Sequence, residues 1–312
     1  MPRTLHAADR RQLIRLAATM PVGSPMRRTI LAGLSQLPDV NIPGKHILDN
    51  AEVSGEAQVS SNARAFGHAR LYSRADVRDH AQVYDHAELF KNAQVYGNAQ
   101  VYGHAQLDDM AQVYGHAKVY ENARVSGQSR VYGNAQVFGA ASILDSAQVA
   151  GDASVSGGAK IGQRAEITEQ AQVSGEAIVA GDARVLGAAI VGGRADVRGN
   201  AQIYGRAKLS DNVKVFGTAA EVFGDAKLSG KAVVAEYAQV FEQARVADDA
   251  KVFNSAQVSG QAVVSGQAKV MGESIVKGTA HIGGTAVIRG GTWDGTEGAI
   301  TSGRWSAPGI PY

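Results

Sequence analysis

Apolar and polar residues alternate along most of this chain in a unit of six residues. The unit reads Ala-Gln-Val-Tyr-Gly-Asn, as in residues 93–98, and its aliphatic residue is called position i below. Position i falls at 53 and every sixth residue to 215, slips by one residue at Ala219-Ala220, and resumes from 222 to 288, which makes 28 units and then 12, 40 in all. Because i−2 and i are both apolar, the pattern has the alternation of a strand and not of a helix. It predicts short strands that turn Ala and an aliphatic side chain to one side.

The polar part of each unit predicts a corner. Positions i+2 and i+3 carry pairs such as Gly-Asn, Gly-His and Gly-Asp, and these residue types tolerate a positive φ angle best. Three strands and three corners close a coil of 18 residues, so 40 units predict about 13 stacked coils. The exceptions are few: Ala65 replaces the aliphatic residue at i, and Ser129, Val213 and Ser274 replace Ala at i−2.

An aliphatic residue followed after four positions by a small one resembles the hexapeptide-repeat family, and the match covers about three quarters of the chain. The regular length resembles long repeat members of that family more than a particular acyltransferase. The resemblance implies an all-β solenoid, a left-handed parallel β-helix with triangular coils. The handedness rests on the resemblance, since crossovers between parallel strands are generally right-handed. A right-handed β-helix is the structural alternative, although its coils are usually longer and less regular.

Composition limits the chemistry of the chain. With no Cys among 312 residues, disulfides and thiolate metal sites are excluded. No apolar run approaches the length of a membrane span, and the N-terminus lacks the features of a secretory signal, so we expect a cytoplasmic protein or part of a particle assembled in the cytoplasm. The net charge is +2, but residues 1–45 hold seven cations and two acids. A mildly acidic rod with a basic head predicts neither nucleic-acid nor membrane binding.

Three regions follow: a basic helical head or cap at 1–45, the solenoid at 46–290, and a C-terminal cap or tail at 291–312. Two helices are predicted in the head, one over residues 7–18 and one that begins at Ser24-Pro25 and ends before Pro38. The head either covers the first coil or docks onto an acidic protein partner or another subunit. The residues expected to make these contacts are apolar: Leu13, Ile14, Met26, Ile30, Leu34 and Leu37.

Aromatic residues recur at i+1, where side chains point away from the core. Rings 18 residues apart are expected to stack about 4.8 Å apart. These columns either stiffen the sheets or form an interaction surface, and the family resemblance implies a homo-oligomer, a trimer or larger, built through such faces. One column comprises Phe66, Tyr84, Tyr102, Tyr120 and Phe138, and a neighbouring one comprises Tyr96, Tyr114 and Tyr132.

Histidines also recur at the corners. His68, His86 and His104 lie 18 residues apart, and a column of imidazoles is a weak candidate for a zinc site. Because Asn fills the same i+3 position in other units, turn geometry explains these residues without a metal. We predict no metal and no cofactor.

The hexapeptide-repeat resemblance implies an alternative function, an acyltransferase that uses an acyl-CoA donor and a histidine base. Such a site needs a walled pocket, but no insertion longer than one residue interrupts the repeat between Val53 and Ile288. His46 and His281 are the histidines placed outside the corner pattern. The sequence therefore favours a non-catalytic rod over an enzyme. Such a rod would be a scaffold, a filament or a virion component that assembles through its aromatic columns.

Overall fold

The six-residue unit sets both the strand length and the position of each turn. In the computed structural model, which describes residues 46–60 and 62–312, most units form a two-residue strand at i−1 and i. Within the regular coils, each strand pairs in parallel with the strand one coil further on, as Gln94 does with Gln112. The fold is an all-β parallel solenoid, and no helix occurs among the described residues.

The strands form three sheets that run the length of the solenoid. Sheet 1 contains Glu52–Val53, Arg70–Leu71, Glu88–Leu89, Gln106–Leu107, Arg124–Val125, Ser142–Ile143, Lys160–Ile161, Ile178–Val179, Asp196–Gly199, Lys214–Gly217, Val233–Ala235, Lys251–Val252, Lys269–Val270, Val287–Ile288, Arg304–Ala307 and Ile310–Pro311. Sheet 2 contains Gln58–Val59, Asp76–Val77, Gln94–Val95, Gln112–Val113, Arg130–Val131, Gln148–Val149, Glu166–Ile167, Arg184–Val185, Gln202–Ile203, Glu221–Val222, Gln239–Val240, Gln257–Val258, Ile275–Val276 and Thr292–Trp293. Sheet 3 contains Arg64–Ala65, Gln82–Val83, Gln100–Val101, Lys118–Val119, Gln136–Val137, Ser154–Val155, Gln172–Val173, Ile190–Val191, Lys208–Leu209, Lys227–Leu228, Arg245–Val246, Val263–Val264 and His281–Ile282.

The 14 strands of sheet 2 give about 14 turns, where the sequence predicted about 13. The additional turn arises because parallel pairing continues past the last regular unit, with Thr292–Trp293 against Ile275–Val276. The predicted helices, with Leu13, Ile14, Met26, Ile30, Leu34 and Leu37, lie outside the described residues.

The core consists of two rows of small side chains per sheet, Ala at i−2 and an aliphatic residue at i, and from Ala63 onward they are buried. Ala65 is fully buried although it is smaller than its counterparts. The two serines at i−2 are also fully buried, and each satisfies its hydroxyl locally. Ser129 Oγ donates to the Ser126 carbonyl at 2.7 Å, and Ser274 Oγ donates to the Met271 carbonyl at 2.6 Å.

The corners have the positive φ angles that their residue types predict. Gly127 has a φ of 75°, and a Cβ atom there would lie 2.5 Å from the carbonyl oxygen of Asp145 in the next coil. Where Asp or Glu replaces Gly at position i+2, its carboxylate usually accepts a hydrogen bond from the backbone N–H of the residue at i+2 one coil further on. Asp79 Oδ2, for example, accepts from the Gly97 N–H at 2.9 Å. These bonds link successive coils outside the sheets.

The one-residue slip is confined to one corner. After Val215 the backbone bulges through Gly217, whose φ is 128°, and the regular register is restored where Glu221 pairs with Gln202. Because only the corner absorbs the extra residue, sheets 1 and 2 continue on both sides of it.

At the C-terminal end, indole rings replace aliphatic residues in the core. Trp293 is 1% exposed and packs edge-on against Trp305, with ring centroids 6.5 Å apart. Trp305 lies in Arg304–Ala307, which pairs in parallel with Val287–Ile288 and antiparallel with Ile310–Pro311. This hairpin supplies the outer neighbour that the last regular strand of sheet 1 would otherwise lack.

Candidate interaction surface

The aromatic column on sheet 3 is a continuous stack of five rings, as its 18-residue spacing predicts. Its neighbouring ring centroids lie 4.8–5.0 Å apart, and the ring planes deviate from parallel by 2–4°. The rings are half-buried and not fully exposed, because each covers a face of the next ring. What the column offers to solvent is a strip of ring edges and phenol hydroxyls. Its members are Phe66, Tyr84, Tyr102, Tyr120 and Phe138.

The column on sheet 2 has the same geometry. Tyr96 and Tyr114 have centroids 4.8 Å apart, and Tyr114 and Tyr132 have centroids 5.0 Å apart. Arg78 extends this column by placing its guanidinium 4.7 Å from the centre of the Tyr96 ring. A cation over a ring face is attracted by the ring quadrupole, so this end of the column is covered.

Burial in the columns changes the acidity of the phenols. Desolvation raises the pKa of Tyr84, Tyr102, Tyr114 and Tyr120 above the ordinary value of 10.0. Negative charge on a neighbouring tyrosine or corner carboxylate raises these pKa values further. The phenols therefore stay neutral hydrogen-bond donors at physiological pH, which suits contact between two protein surfaces.

Some of these hydroxyls already have partners within the chain. Tyr120 donates to Gln136 Oε1 at 3.4 Å, and Tyr132 donates to Gln148 Oε1 at 3.3 Å. Both glutamines occupy i−1, the other outward position of the same sheet. The rings thus lean along the sheet over a row of amides.

Two further aromatic stacks escaped the sequence prediction. Tyr204, Phe223 and Phe241 stack on sheet 2 with centroid separations of 4.7 and 4.9 Å. The slip at Ala219-Ala220 separates the first two by 19 residues and hides the column from an 18-residue search. Tyr72 and Phe90 stack on sheet 1 at 5.5 Å, and their regular spacing could have revealed them.

The histidine column stacks as well, with centroids 5.0 Å apart for His68 and His86 and 4.9 Å apart for His86 and His104. Two nitrogens bound to one zinc ion lie at most about 4.2 Å apart. Parallel rings at these separations hold equivalent nitrogens farther apart than that. No group of three potential metal ligands occurs within residues 46–60 and 62–312. The three imidazoles thus lie at corner positions and stack at the spacing of successive coils.

Within the described residues, the two histidines outside the corner pattern, His46 and His281, lie at opposite ends of the solenoid. The His46 carbonyl accepts a hydrogen bond from the Ala65 N–H at 2.7 Å, at the first coil. His281 is exposed on sheet 3, and its Nε2 lies 3.4 Å from Ser265 Oγ. The structure does not bring the two imidazoles together, and His281 lies on an outer face of the sheet.

Comparison with known families supports a repeat β-solenoid. A family model described as the YdcK beta solenoid repeat matches residues 111–127, slightly less than one coil. No curated protein matches the chain. Among the described residues, no helix has the length and apolarity that a membrane span requires.

Proposed function

We propose that this chain is a non-catalytic structural or binding rod, a scaffold, filament or virion-type component, that assembles through its aromatic columns. The observation that carries the proposal is the stack of five half-buried rings on sheet 3, next to the stack of three on sheet 2. Aromatic residues are enriched in protein interfaces because they bury large areas with few rotatable bonds. The partner in this proposal is a further copy of the chain, in a trimer or a larger assembly.

The shape of the stack supports a contact between rigid bodies. Each ring is held by neighbours at 4.8–5.0 Å, so little side-chain freedom remains to be lost when the surface is covered. Because the rings are neutral and their edges form a straight strip, a second straight strip fits along the same direction.

The proposal includes a finer assignment of the fold, a left-handed helix with triangular coils of the hexapeptide-repeat type. Three features support it: six residues per side, sheets that each receive every third strand, and left-handed backbone angles at i+2, such as 70° at Gly97. A crystal structure with right-handed coils would overturn this part of the proposal alone.

The assembly is tested with the double variant Tyr102→Ser, Tyr120→Ser. Serine occurs at i+1 on the same sheet, at Ser156 and Ser174, so the substitutions are compatible with the fold. We expect a lower molar mass by light scattering from a protein that remains folded, with an effect on stability no larger than the loss of three stacked ring contacts. The matched control is Tyr204→Ser, which removes a stacked ring outside the two predicted columns and should leave the mass unchanged. An unchanged mass in the double variant would remove the columns from assembly.

The non-catalytic part is tested with calorimetric titration of acetyl-coenzyme A. We expect no saturable heat, because the described histidines lie on outer faces and corners of the solenoid. Saturable binding at micromolar ligand would favour an acyltransferase instead, and His46→Asn and His281→Asn would then identify its base.

A further inference from the structure

Positive side chains form unpaired columns on the C-terminal part of the solenoid. On sheet 3, Lys208, Lys227 and Arg245 occupy i−1 on three successive strands and are direct register partners. All three are exposed. Neighbouring strands lie about 4.8 Å apart, so three like charges are held in a line along the rod axis.

At two other places on the solenoid, a cation at i−1 faces a carboxylate on a neighbouring strand. On sheet 1, Arg70 lies between Glu52 and Glu88 in register, with its Nη1 3.3 Å from Glu88 Oε1. On sheet 2, Arg184 pairs with Glu166 at 3.3 Å. Opposite charges on adjacent strands stabilise a sheet, whereas like charges destabilise it. The three cations on sheet 3 therefore depart from the arrangement that stability alone would favour.

No carboxylate of the described residues forms an ion pair with this column. Asp225 lies beside it at the corner, but its Oδ2 is bound by Arg206 Nη2 at 2.7 Å. Lys208, Lys227 and Arg245 have no ion-pair partner within residues 46–60 and 62–312. Together with the Arg206 corner they line an open groove of about 430 Å³.

A second basic groove runs beside the first, on sheet 1. Lys214, Lys251 and Lys269 occupy three of its four i−1 positions, and Val233 lies between Lys214 and Lys251. Lys251 and Lys269 are in direct register. This groove has a volume of about 610 Å³ and contains one carboxylate, Asp249. The two columns lie on either side of one corner of the solenoid. That corner also carries Asp211, Asp248 and Asp249, and the first two accept hydrogen bonds from the N–H groups of Gly230 and Gly266.

We propose that these two columns, termed the basic ridge, bind a linear acidic polysaccharide that runs parallel to the rod axis. A ligand that matches the ridge must carry negative charge at short, regular intervals along a line. A sugar ring is about as long as the separation between strands, about 4.8 Å, so a glycan with one carboxylate or sulfate per sugar meets one cation per coil.

The neighbouring groups suit a sugar chain. On sheet 3 the i+1 positions beside the cations are Ser210, Ser229 and Ala247, which leave room beside the charged row and provide hydroxyls. Gln243 adds an amide to the groove wall. Such groups bond to sugar hydroxyls, while the cations bind the acidic substituents.

Other polyanions fit less well. Single-stranded nucleic acid is generally held by aromatic rings that stack on the bases. No ring lies on sheet 3 beside the cations, and the rings across the Arg206 corner, Tyr204, Phe223 and Phe241, already stack face to face on one another at 4.7 and 4.9 Å. An extended acidic peptide turns every second side chain to one face, at about 6.6 Å, which does not match the coil spacing. A membrane surface is flat, whereas the ridge presents cations on both sides of a corner.

The test uses the full chain with fluorescently labelled polygalacturonate and dextran sulfate, followed by anisotropy at low and at moderate salt. Neutral dextran is the ligand control. The variant Lys208→Gln, Lys227→Gln, Arg245→Gln retains the fold because Gln is common at i−1, as at Gln94 and Gln112. We expect roughly a tenfold weaker affinity, as three surface ion pairs would give, and a smaller dependence on salt.

The matched control removes three cations that share no column, Lys118→Gln, Arg124→Gln and Arg130→Gln, one on each sheet. It changes the net charge equally, and we expect less than about a twofold loss because no three-charge row is broken. Equal losses in the two variants would overturn the basic ridge as a site. Absence of binding to both acidic polysaccharides would overturn it as well. Tighter, variant-sensitive binding of single-stranded DNA or polyglutamate would refute the assignment to a polysaccharide.

Discussion

Stacking between rings on successive coils should appear as a measurable coupling energy. Tyr114 lies between Tyr96 at 4.8 Å and Tyr132 at 5.0 Å, so Tyr114→Ala removes two ring contacts. Tyr132→Ala removes one, since the next residue in that column is Ala150. Each stacked pair contributes about 0.5–1.5 kcal/mol beyond area burial. We therefore expect a stacking loss of about 1–3 kcal/mol at Tyr114 and about half of that at Tyr132.

A double-mutant cycle isolates this contribution from the cost of exposing the sheet. The pair Tyr114→Ala and Tyr132→Ala should show a coupling of about 0.5–1.5 kcal/mol. The pair Tyr132→Ala and Tyr204→Ala is the control, because these rings belong to separate stacks with no shared neighbour and should be additive within about 0.5 kcal/mol. Tyr132→Phe separately removes the hydroxyl that donates to Gln148.

Amide hydrogen exchange is the suitable assay, because a long repeat array need not unfold in a single transition. The relevant amides belong to the strands Gln112–Val113 and Arg130–Val131 and their neighbours. If the coupling for the touching pair is zero within error, stacking adds nothing to burial. The columns would then have no stiffening role.

Three further outcomes are expected. Gly127→Ala should destabilise the solenoid by more than the roughly 1–2 kcal/mol that a left-handed backbone conformation costs a residue with a side chain, because the new Cβ would lie 2.5 Å from the Asp145 carbonyl oxygen. The control is Gly309→Ala, where φ is also positive, at 74°, but no atom lies within 4 Å of the new Cβ. Equal shifts of the two variants in chemical denaturation would show that the contact with Asp145 adds nothing. Since burial raises the pKa of the stacked tyrosines, their contribution to stability is complete below about pH 10 and is lost as pH rises through the raised pKa values. A near-ultraviolet titration in which these tyrosines ionise at the ordinary pKa of 10.0 would refute the upward shift. The hydrogen bond from Lys91 lowers the pKa of Asp109, so the contribution of this pair to stability is present above the ordinary pKa of 3.8 and is lost as pH falls through the lowered value. Lys91→Gln should raise the pKa of Asp109 in a carboxyl NMR titration. An unchanged pKa would exclude Lys91 as the cause of the shift.

The sequence predicts the β-solenoid because the positions that determine it are nearly invariant. Ala at i−2 and an aliphatic residue at i form the buried rows. A polar exception such as Ser129 is tolerated because its hydroxyl donates a hydrogen bond to the nearby Ser126 carbonyl. The 18-residue spacing likewise predicts which rings stack, since register is parallel throughout the regular coils. The half-buried state of the rings was not predicted, because a linear pattern does not show how far each ring covers the next.

Two surface features were missed in the sequence because the one-residue slip at Ala219-Ala220 breaks the 18-residue spacing. It separates Lys208 from Lys227 by 19 residues, as it does Tyr204 from Phe223, although each pair lies on adjacent strands. A one-residue insertion thus concealed both the basic ridge and an aromatic stack. The bonds from corner carboxylates to the next coil were also missed, because they depend on side-chain conformation and not on residue type alone.

The two proposed surfaces use different stretches of the same face. On sheet 3 the aromatic column ends at Phe138, and the cations begin at Lys208. Their strands are four steps apart in the sheet, about 19 Å. Between them the i+1 column holds the small residues Ser156, Ser174 and Gly192. Because the buried rows hold the backbone constant, outward residues can change from rings to cations along one face without altering the fold. Assembly through the aromatic columns would therefore leave the basic ridge accessible to a second ligand.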